Sequence, residues 1–482
     1  MRKIIPFILI FLFYTLFLGS YGLLDPDEPR YATTSKNMIS TGQYILPEFN
    51  GKPRINKPPL TYWLISLSYK LFGINEFSSR LPHAILGFLL SIILFFFTKD
   101  LTSPLILTSI PLYLFMARLC NTDMILNFFF SSSLLLFFKY YDTKKSKFLI
   151  ISVISYLFAN LTKGPVAYIS ILIIFIFLIF EKDFTIFKNY FLIIAVLLAS
   201  ISPLLWLIIA VSKLGDFSCI KSILFNETLG RMFKGYGHRE NFLFYFKYFP
   251  LVFFPWSVLF VLKIKKISAL WNDKFLKFNI IWFFTVFIFF SIAKSKLISY
   301  ILILSVPFSV ILSKFVENLE ILNKKLLVTI FLFFFPSLII YLVTIKEFKL
   351  NFLILPYFIL TGFLLVKSEN LPLAIISFLT GIFLFAGQFI TDLKSEKFLE
   401  NLKIKNGKIV VFRKRFTGTA FYLGNYLKVD TKDELKKIKK FPIYLITTKK
   451  NLNFYLKNIN YKIVKETKGR IFIKIENVNC IR

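Results

Sequence analysis

Long uncharged apolar runs alternate with short polar stretches along most of the chain, without the regular polar stripe of a soluble helix. They occupy positions 4–20, 81–97, 101–117, 124–138, 148–161, 165–180 and 190–211, then 248–262, 278–293, 297–312, 326–345, 351–366 and 371–390. Read as membrane-crossing helices, which need roughly 20 apolar residues each, they make about thirteen spans. An odd number places the two termini on opposite sides of the membrane. The run at 60–71, with Tyr62, Trp63 and Tyr69, is amphipathic and suits a helix lying in the interface rather than one crossing it. Past 391 the pattern turns to short strands at 408–412, 442–447, 461–466 and 470–475, with a helix at 433–440. The expected fold class is an all-α polytopic membrane protein with a small C-terminal α/β domain. Residues 1–391 form the membrane domain, with outer loops 21–80 and 212–247, and residues 392–482 form the α/β domain.

Composition agrees with this pattern: 56% of the 482 residues are hydrophobic and 63 are Phe, which excludes an ordinary soluble protein. Charge then sets orientation. Of the net +34, the strongest clusters among short connections are at 139–147 and 263–277, with Lys144, Lys145, Lys265, Lys266 and Lys274. Basic short loops face the cytoplasm, so the amino terminus with Arg2 and Lys3 is expected inside, and the first run reads as a retained signal anchor. The tail after 391 carries 23 basic and 8 acidic residues, but long outer domains cross regardless of charge. No recognition module stands apart from the spans, so the basic balance does not indicate a nucleic-acid partner. The three cysteines, Cys120, Cys219 and Cys480, lack metal or CxxC spacing and read as unpaired thiols.

The unusual polar residues gather on the outer side. Asp25-Pro26-Asp27-Glu28-Pro29-Arg30 follows the first run directly, its prolines preventing that helix from continuing. Asn56-Lys57-Pro58 precedes the interfacial stretch, Asp123 opens the fourth span, and Lys163 stands in the turn at 162–164. Glu227, Arg231, His238, Arg239 and Glu240 occupy the loop 212–247, and Lys294 and Lys296 fall in another outer turn with Tyr300 just beyond. A charge at a span end is ordinarily a snorkelling anchor. Collected on one face, such cations suit a phosphate leaving group, and the carboxylates suit orienting or deprotonating an attacking oxygen.

Several motifs together resemble the lipid A 4-amino-4-deoxy-L-arabinose transferases, within the GT-C class of polyprenyl-phosphate-sugar-dependent glycosyltransferases that includes the protein O-mannosyltransferases. They are Asp27-Glu28-Pro29-Arg30-Tyr31-Ala32, Gly42-Gln43-Tyr44-Ile45-Leu46-Pro47, Lys57-Pro58 with Tyr62-Trp63, and Leu71-Phe72-Gly73. Thr162-Lys163-Gly164, Glu227 with Arg231, His238-Arg239, Pro255-Trp256 and Ala293-Lys294 with Lys296-Leu297 and Tyr300 continue the series in order over roughly the first 310 residues. The resemblance implies a GT-C enzyme of the bacterial inner membrane with a periplasmic active site and C-terminal domain. It implies a catalytic role for Asp27 with Glu28 and Arg30 beside it, an acidic partner in Asp123, and donor-phosphate contacts from Lys57, Arg239 and Tyr300. Arg30, Lys294 and Lys296 join the phosphate-side candidates, while Lys163, Glu227 and Arg231 are candidates for the acceptor side. Asn56 stands where the family commonly has Glu. That Glu and a His like His238 would hold a metal, and its replacement by Asn, with only two His in the chain, argues against a divalent cation. His83 reads as a packed side chain.

The expected function is transfer of one sugar from undecaprenyl phosphate to lipid A or lipopolysaccharide. The alternative is transfer of mannose or another sugar to protein or core oligosaccharide. A lipid-linked sugar transporter or flippase would carry repeated halves and mid-span charges, and the chain has neither.

Overall fold

The computed structural model describes residues 4–215, 217, 238–316, 391 and 394–476, except 403, 405, 406, 415, 440, 458, 468 and 469. The apolar runs at 326–345, 351–366 and 371–390 lie outside the described residues, as do Glu227, Arg231, Cys219 and Cys480. In chain order the helices are α1 (Ile4–Thr15), α2 (Glu28–Thr41), α3 (Leu60–Phe72), α4 (Glu76–Thr98), α5 (Thr102–Ser109), α6 (Pro111–Ala117), α7 (Thr122–Thr143) and α8 (Ser146–Lys163). Then come α9 (Ile169–Glu181), α10 (Tyr190–Ser212), α11 (Phe244–Val252), α12 (Trp256–Lys263), α13 (Lys274–Ile292) and α14 (Ser305–Val316), with short α15 (Gly418–Tyr422), α16 (Lys432–Lys436) and α17 (Lys449–Tyr455) in the tail. Strands β1 (Glu48–Phe49) and β2 (Lys52–Pro53) form a small antiparallel hairpin. The tail strands are β3 (Lys408–Phe412), β4 (Leu427–Val429), β5 (Ile443–Thr447), β6 (Lys462–Glu466) and β7 (Ile471–Ile475).

Among the described residues six helical stretches are long and apolar enough to cross a membrane, seven if one bent pair counts as a single span. The protein is a multi-span membrane protein. The uncharged runs mark these elements well, but the breaks within them come from backbone chemistry. The run 101–117 divides into α5 and α6 because Ile110 is extended and Pro111, lacking an N–H, starts a new helix instead of continuing the old one. The run 248–262 is also not one straight span: α11 and the helical stretch from Trp256 meet at 118° across Phe253-Phe254-Pro255. The stretch 146–181 is interrupted at Gly164, whose φ of 54° suits a residue without a Cβ, at the turn expected for 162–164. In the first run the helix stops at Thr15. Arg118 donates to the carbonyls of Phe13 (2.5 Å), Tyr14 (3.3 Å) and Leu16 (2.6 Å), a cation at the negative end of α1.

The chain forms two compact units. One comprises 1–16, 55–61 and 81–382, and the other comprises 17–54, 62–80 and 383–482. In the second unit the strand order is β4-β3-β5-β7-β6, with β3 parallel to β4 and β5, and β7 antiparallel to β5 and β6. The four expected strands are present; β4 joins them as a fifth, and the expected helix at 433–440 is the shorter α16. Alternation along the strands fills two apolar faces. Val410, Phe412, Leu445 and Ile473 pack on one side, and Val411, Ile446 and Phe472 on the other. Helix α3 has the amphipathic form the sequence suggests: Tyr62, Ile65 and Tyr69 are buried while Leu67 and Leu71 are exposed.

Candidate functional site

In the first unit, α7 and α8 form an antiparallel hairpin around a two-lysine turn, Lys144 and Lys145, with the Ser152 hydroxyl donating to the Ser133 carbonyl (2.7 Å) midway. About twenty residues at 1.5 Å each put the opposite end roughly 30 Å from that turn. There Asp123, in the first turn of α7, forms an ion pair with Lys163, in the last turn of α8. Each charge complements its own helix terminus. Both side chains are mostly buried, at 15% and 10% exposure, so the pair is little screened. Asn121 caps α7 by accepting the Asp123 amide at 2.9 Å. Ser299 donates to the Asp123 carboxylate, and Lys57 lies within Coulombic reach of it. The Lys163 ammonium stands 4.6 Å from the Tyr300 ring centroid.

The residues preceding Ser299 make a short antiparallel ladder with residues 238–240 of the loop 212–247. The Lys296 amide donates to the His238 carbonyl (2.9 Å) and the Glu240 amide to the Lys294 carbonyl (3.1 Å), with Arg239 opposite Ser295. Two motifs far apart in sequence are thereby zipped together. The Lys296 ammonium turns inward to the Ala293 carbonyl, and burial lowers its pKa against the opposing pull of Glu240. Arg239 and Lys294 remain exposed cations. The His83 ring meets the Asn121 backbone carbonyl at 2.7 Å and is buried, which accords with a packing role. Among the described residues no three or more His, Cys, Asp or Glu side chains gather in a metal-holding group.

In the second unit the three clustered carboxylates separate in character. Asp25 is 7% exposed and receives the Arg470 guanidinium at 3.1 Å. Glu28 is 3% exposed and receives Arg80 at 2.8 and 2.7 Å, together with the Leu24 amide at 2.8 Å. Asp27 is 66% exposed. It occupies the N-cap of α2 without spending its side chain on a cap hydrogen bond, and Arg30 donates to it at 3.3 Å. Glu28 thus anchors the start of α2, while Asp27 presents an accessible carboxylate. Arg54 adds a cation not singled out by the motifs: it donates to the Tyr62 hydroxyl (3.1 Å), lies 5.3 Å from the Tyr31 ring, and is within Coulombic reach of Asp27. Its only sequence signal is proximity to Lys57-Pro58. Trp256, from the Pro255-Trp256 motif, is buried and donates to Ser109 at 2.8 Å, which makes it a packing anchor.

Residues 56–207 match the family described as dolichyl-phosphate-mannose-protein mannosyltransferase. An uncharacterised protein of Aquifex aeolicus is 32% identical over 324 residues, covering 65% of this chain and 73% of that protein. The undecaprenyl phosphate-alpha-4-amino-4-deoxy-L-arabinose arabinosyl transferase of Shewanella sediminis is 28% identical, covering 64% of this chain and 59% of the transferase. The crystal structure of ArnT from Cupriavidus metallidurans bound to undecaprenyl phosphate has the same fold, with a TM-score of 0.79 at 16% identity and 98% coverage of both chains. Fold and sequence together define a membrane glycosyltransferase of the GT-C class. In sequence the chain is similar to the aminoarabinose transferases, and in fold to ArnT.

Proposed function

We propose that this enzyme transfers 4-amino-4-deoxy-L-arabinose from undecaprenyl phosphate to lipid A, at the periplasmic face of the inner membrane with its amino terminus in the cytoplasm. The observation that carries the chemistry is the division of labour among the acidic residues: Asp25 and Glu28 are buried in ion pairs, and Asp27 is open. In the reaction the bond from the sugar's anomeric carbon to the phosphate oxygen breaks, a bond to the acceptor oxygen forms, and undecaprenyl phosphate leaves. A lipid A phosphate arrives ionised, so Asp27 then orients the acceptor and stabilises the developing positive charge on the sugar; a hydroxyl acceptor would instead give Asp27 its proton.

Lys57, Arg239, Lys294 and Tyr300 serve the donor phosphate in this scheme. Arg30 and Arg54 flank Asp27. The Asp123–Lys163 pair fixes the cation beside Tyr300, Lys296 holds the turn that carries Lys294, and Glu227 and Arg231 are assigned to the acceptor side. Charged hydrogen bonds contribute about 1.5–3 kcal/mol, so Lys57→Ala should raise the donor KM roughly ten- to a hundredfold with a smaller effect on kcat. An unchanged donor KM would remove Lys57 from the phosphate site.

The overall proposal is tested by mass spectrometry of lipid A from cells with and without the gene. A gene-dependent aminopentose on lipid A is expected. Unaltered lipid A together with a gene-dependent glycan on membrane protein would instead favour a protein acceptor, the reading supported by the mannosyltransferase family match over 56–207.

A further inference from the structure

The second unit contains a buried carboxyl pair to which the transfer chemistry gives no role. Asp25, two residues before Asp27, is held by the C-terminal segment. Its Oδ1 accepts the Thr417 amide (3.0 Å), the Thr417 hydroxyl (2.5 Å) and the Gly418 amide (3.2 Å), and its Oδ2 accepts Arg470 (3.1 Å). Its own amide donates to the Lys394 carbonyl at 2.7 Å. Arg470 also lies 3.1 Å from the wholly buried Glu396 and donates to the Ser395 carbonyl. Packing here is close: a Cβ on Gly418 would come within 2.2 Å of a Glu396 oxygen. More bonds tie the same segments together. Lys36 donates to the Phe421 carbonyl (3.0 Å), the Leu23 amide donates to the Tyr422 hydroxyl (3.1 Å), and Asn50 and Tyr426 exchange two bonds (2.9 and 2.7 Å).

We infer that Arg470, Thr417 and Glu396 are positioning residues for the transfer reaction, clamping Asp25 and so fixing the backbone that presents Asp27. The inference rests on the catalytic assignment of Asp27. The clamp works through charge arithmetic: one guanidinium cannot neutralise two buried carboxylates, so one of them keeps its proton. Burial and the neighbouring Asp25 raise the Glu396 pKa well above the ordinary 4.5, with Arg470 opposing. Lys397 and Tyr422, the next titratable groups on these elements, turn to Glu76 instead, each at 3.1 Å. Because the folded value is the raised one, the contribution of Glu396 to stability is full below the ordinary value and is lost as pH rises through the folded one. Ionisation at alkaline pH sets Glu396 against Asp25 and loosens the clamp.

The test uses the purified full-length enzyme and reads kcat, donor KM and amide exchange. Arg470→Ala should lower kcat at least tenfold with donor KM within twofold, and should speed exchange over residues 21–31 while α7 and α8 stay protected; Arg470→Lys should recover part of kcat. Should Arg470→Ala fail to fold, the milder Thr417→Val carries the same expectation at smaller size. Glu396→Gln, which keeps a neutral side chain, should move the alkaline limb of the kcat profile upward. Unchanged kcat and exchange in Arg470→Ala, an alkaline limb unaffected by Glu396→Gln, or faster exchange spread through both units would overturn the positioning role. Local loosening in Arg470→Ala beside a fully active Asp27→Asn would overturn the catalytic reading of Asp27 and leave the clamp as a purely structural tie, which also overturns the inference.

Discussion

Asp27→Asn should abolish sugar transfer while the protein still folds and inserts. A positioned carboxylate acting on a reacting oxygen contributes about 10²- to 10⁴-fold, so kcat should fall by that range while the donor KM changes little. Folding should be almost unaffected, because the side chain is 66% exposed and its contact with Arg30 is a surface ion pair of about 0.2–1 kcal/mol. The check is a transfer assay beside a melting curve of the same purified sample. Full activity would remove Asp27 from the mechanism, and a collapsed melting curve would show that its main role is structural.

Arg80→Ala should produce the largest loss of stability. Arg80 is fully buried, donates to both Glu28 oxygens and to the carbonyls of Leu18 (2.6 Å), Tyr21 (2.8 Å) and Gly22 (2.9 Å), and stacks 3.8 Å from the Tyr21 ring centroid. Truncation leaves a buried carboxylate without its cation and three carbonyls without a donor, a cost of about 3–5 kcal/mol. Changing Arg80 and Glu28 together to Met should recover part of that loss, since the charge left behind is then removed as well. Thermal unfolding of the single and double variants tests this. A double variant no more stable than Arg80→Ala would mean that the carbonyls, rather than the stranded charge, dominate. The two experiments separate the adjacent acids: Asp27 affects turnover without the fold, and Glu28 affects the fold first.

Much of this arrangement is visible in the sequence where the physics is local. Span cores need only uncharged length, and the strands at 408–412 and 471–475 need only a short run rich in Ile, Val and Phe, so both emerge from single-residue properties. The interruptions at Pro111 and Pro255 lie inside runs that still look continuous by hydropathy, because one uncharged proline hardly lowers the mean of a long apolar run while lacking the N–H a helix requires. Long-range pairing is harder to see. Nothing near Glu28 announces Arg80, 52 residues on, and Asp25 finds Arg470 across nearly the whole chain. Three carboxylates that look equivalent in the motif therefore acquire different roles only when their partners fold against them. β4 is three residues long, too short for a strand-like run to register in the sequence.

The ladder joining 238–240 to 294–296 bears on how the protein can vary. Its bonds are made by backbone amides and carbonyls, so changes of side chain at Arg239 or Ser295 leave the pairing intact, whereas proline at Glu240 or Lys296 would remove a donor. An insertion is a different kind of change. One extra residue within 294–296 would shift that segment's backbone donors and acceptors out of register with 238–240 and advance Ser299 and Tyr300 out of step with Asp123 and Lys163. Relatives that drift in sequence here should therefore conserve the count of residues between Lys294 and Tyr300 more strictly than their identities, and an alignment gap within that interval would mark a protein in which the surroundings of the Asp123–Lys163 pair have been rebuilt.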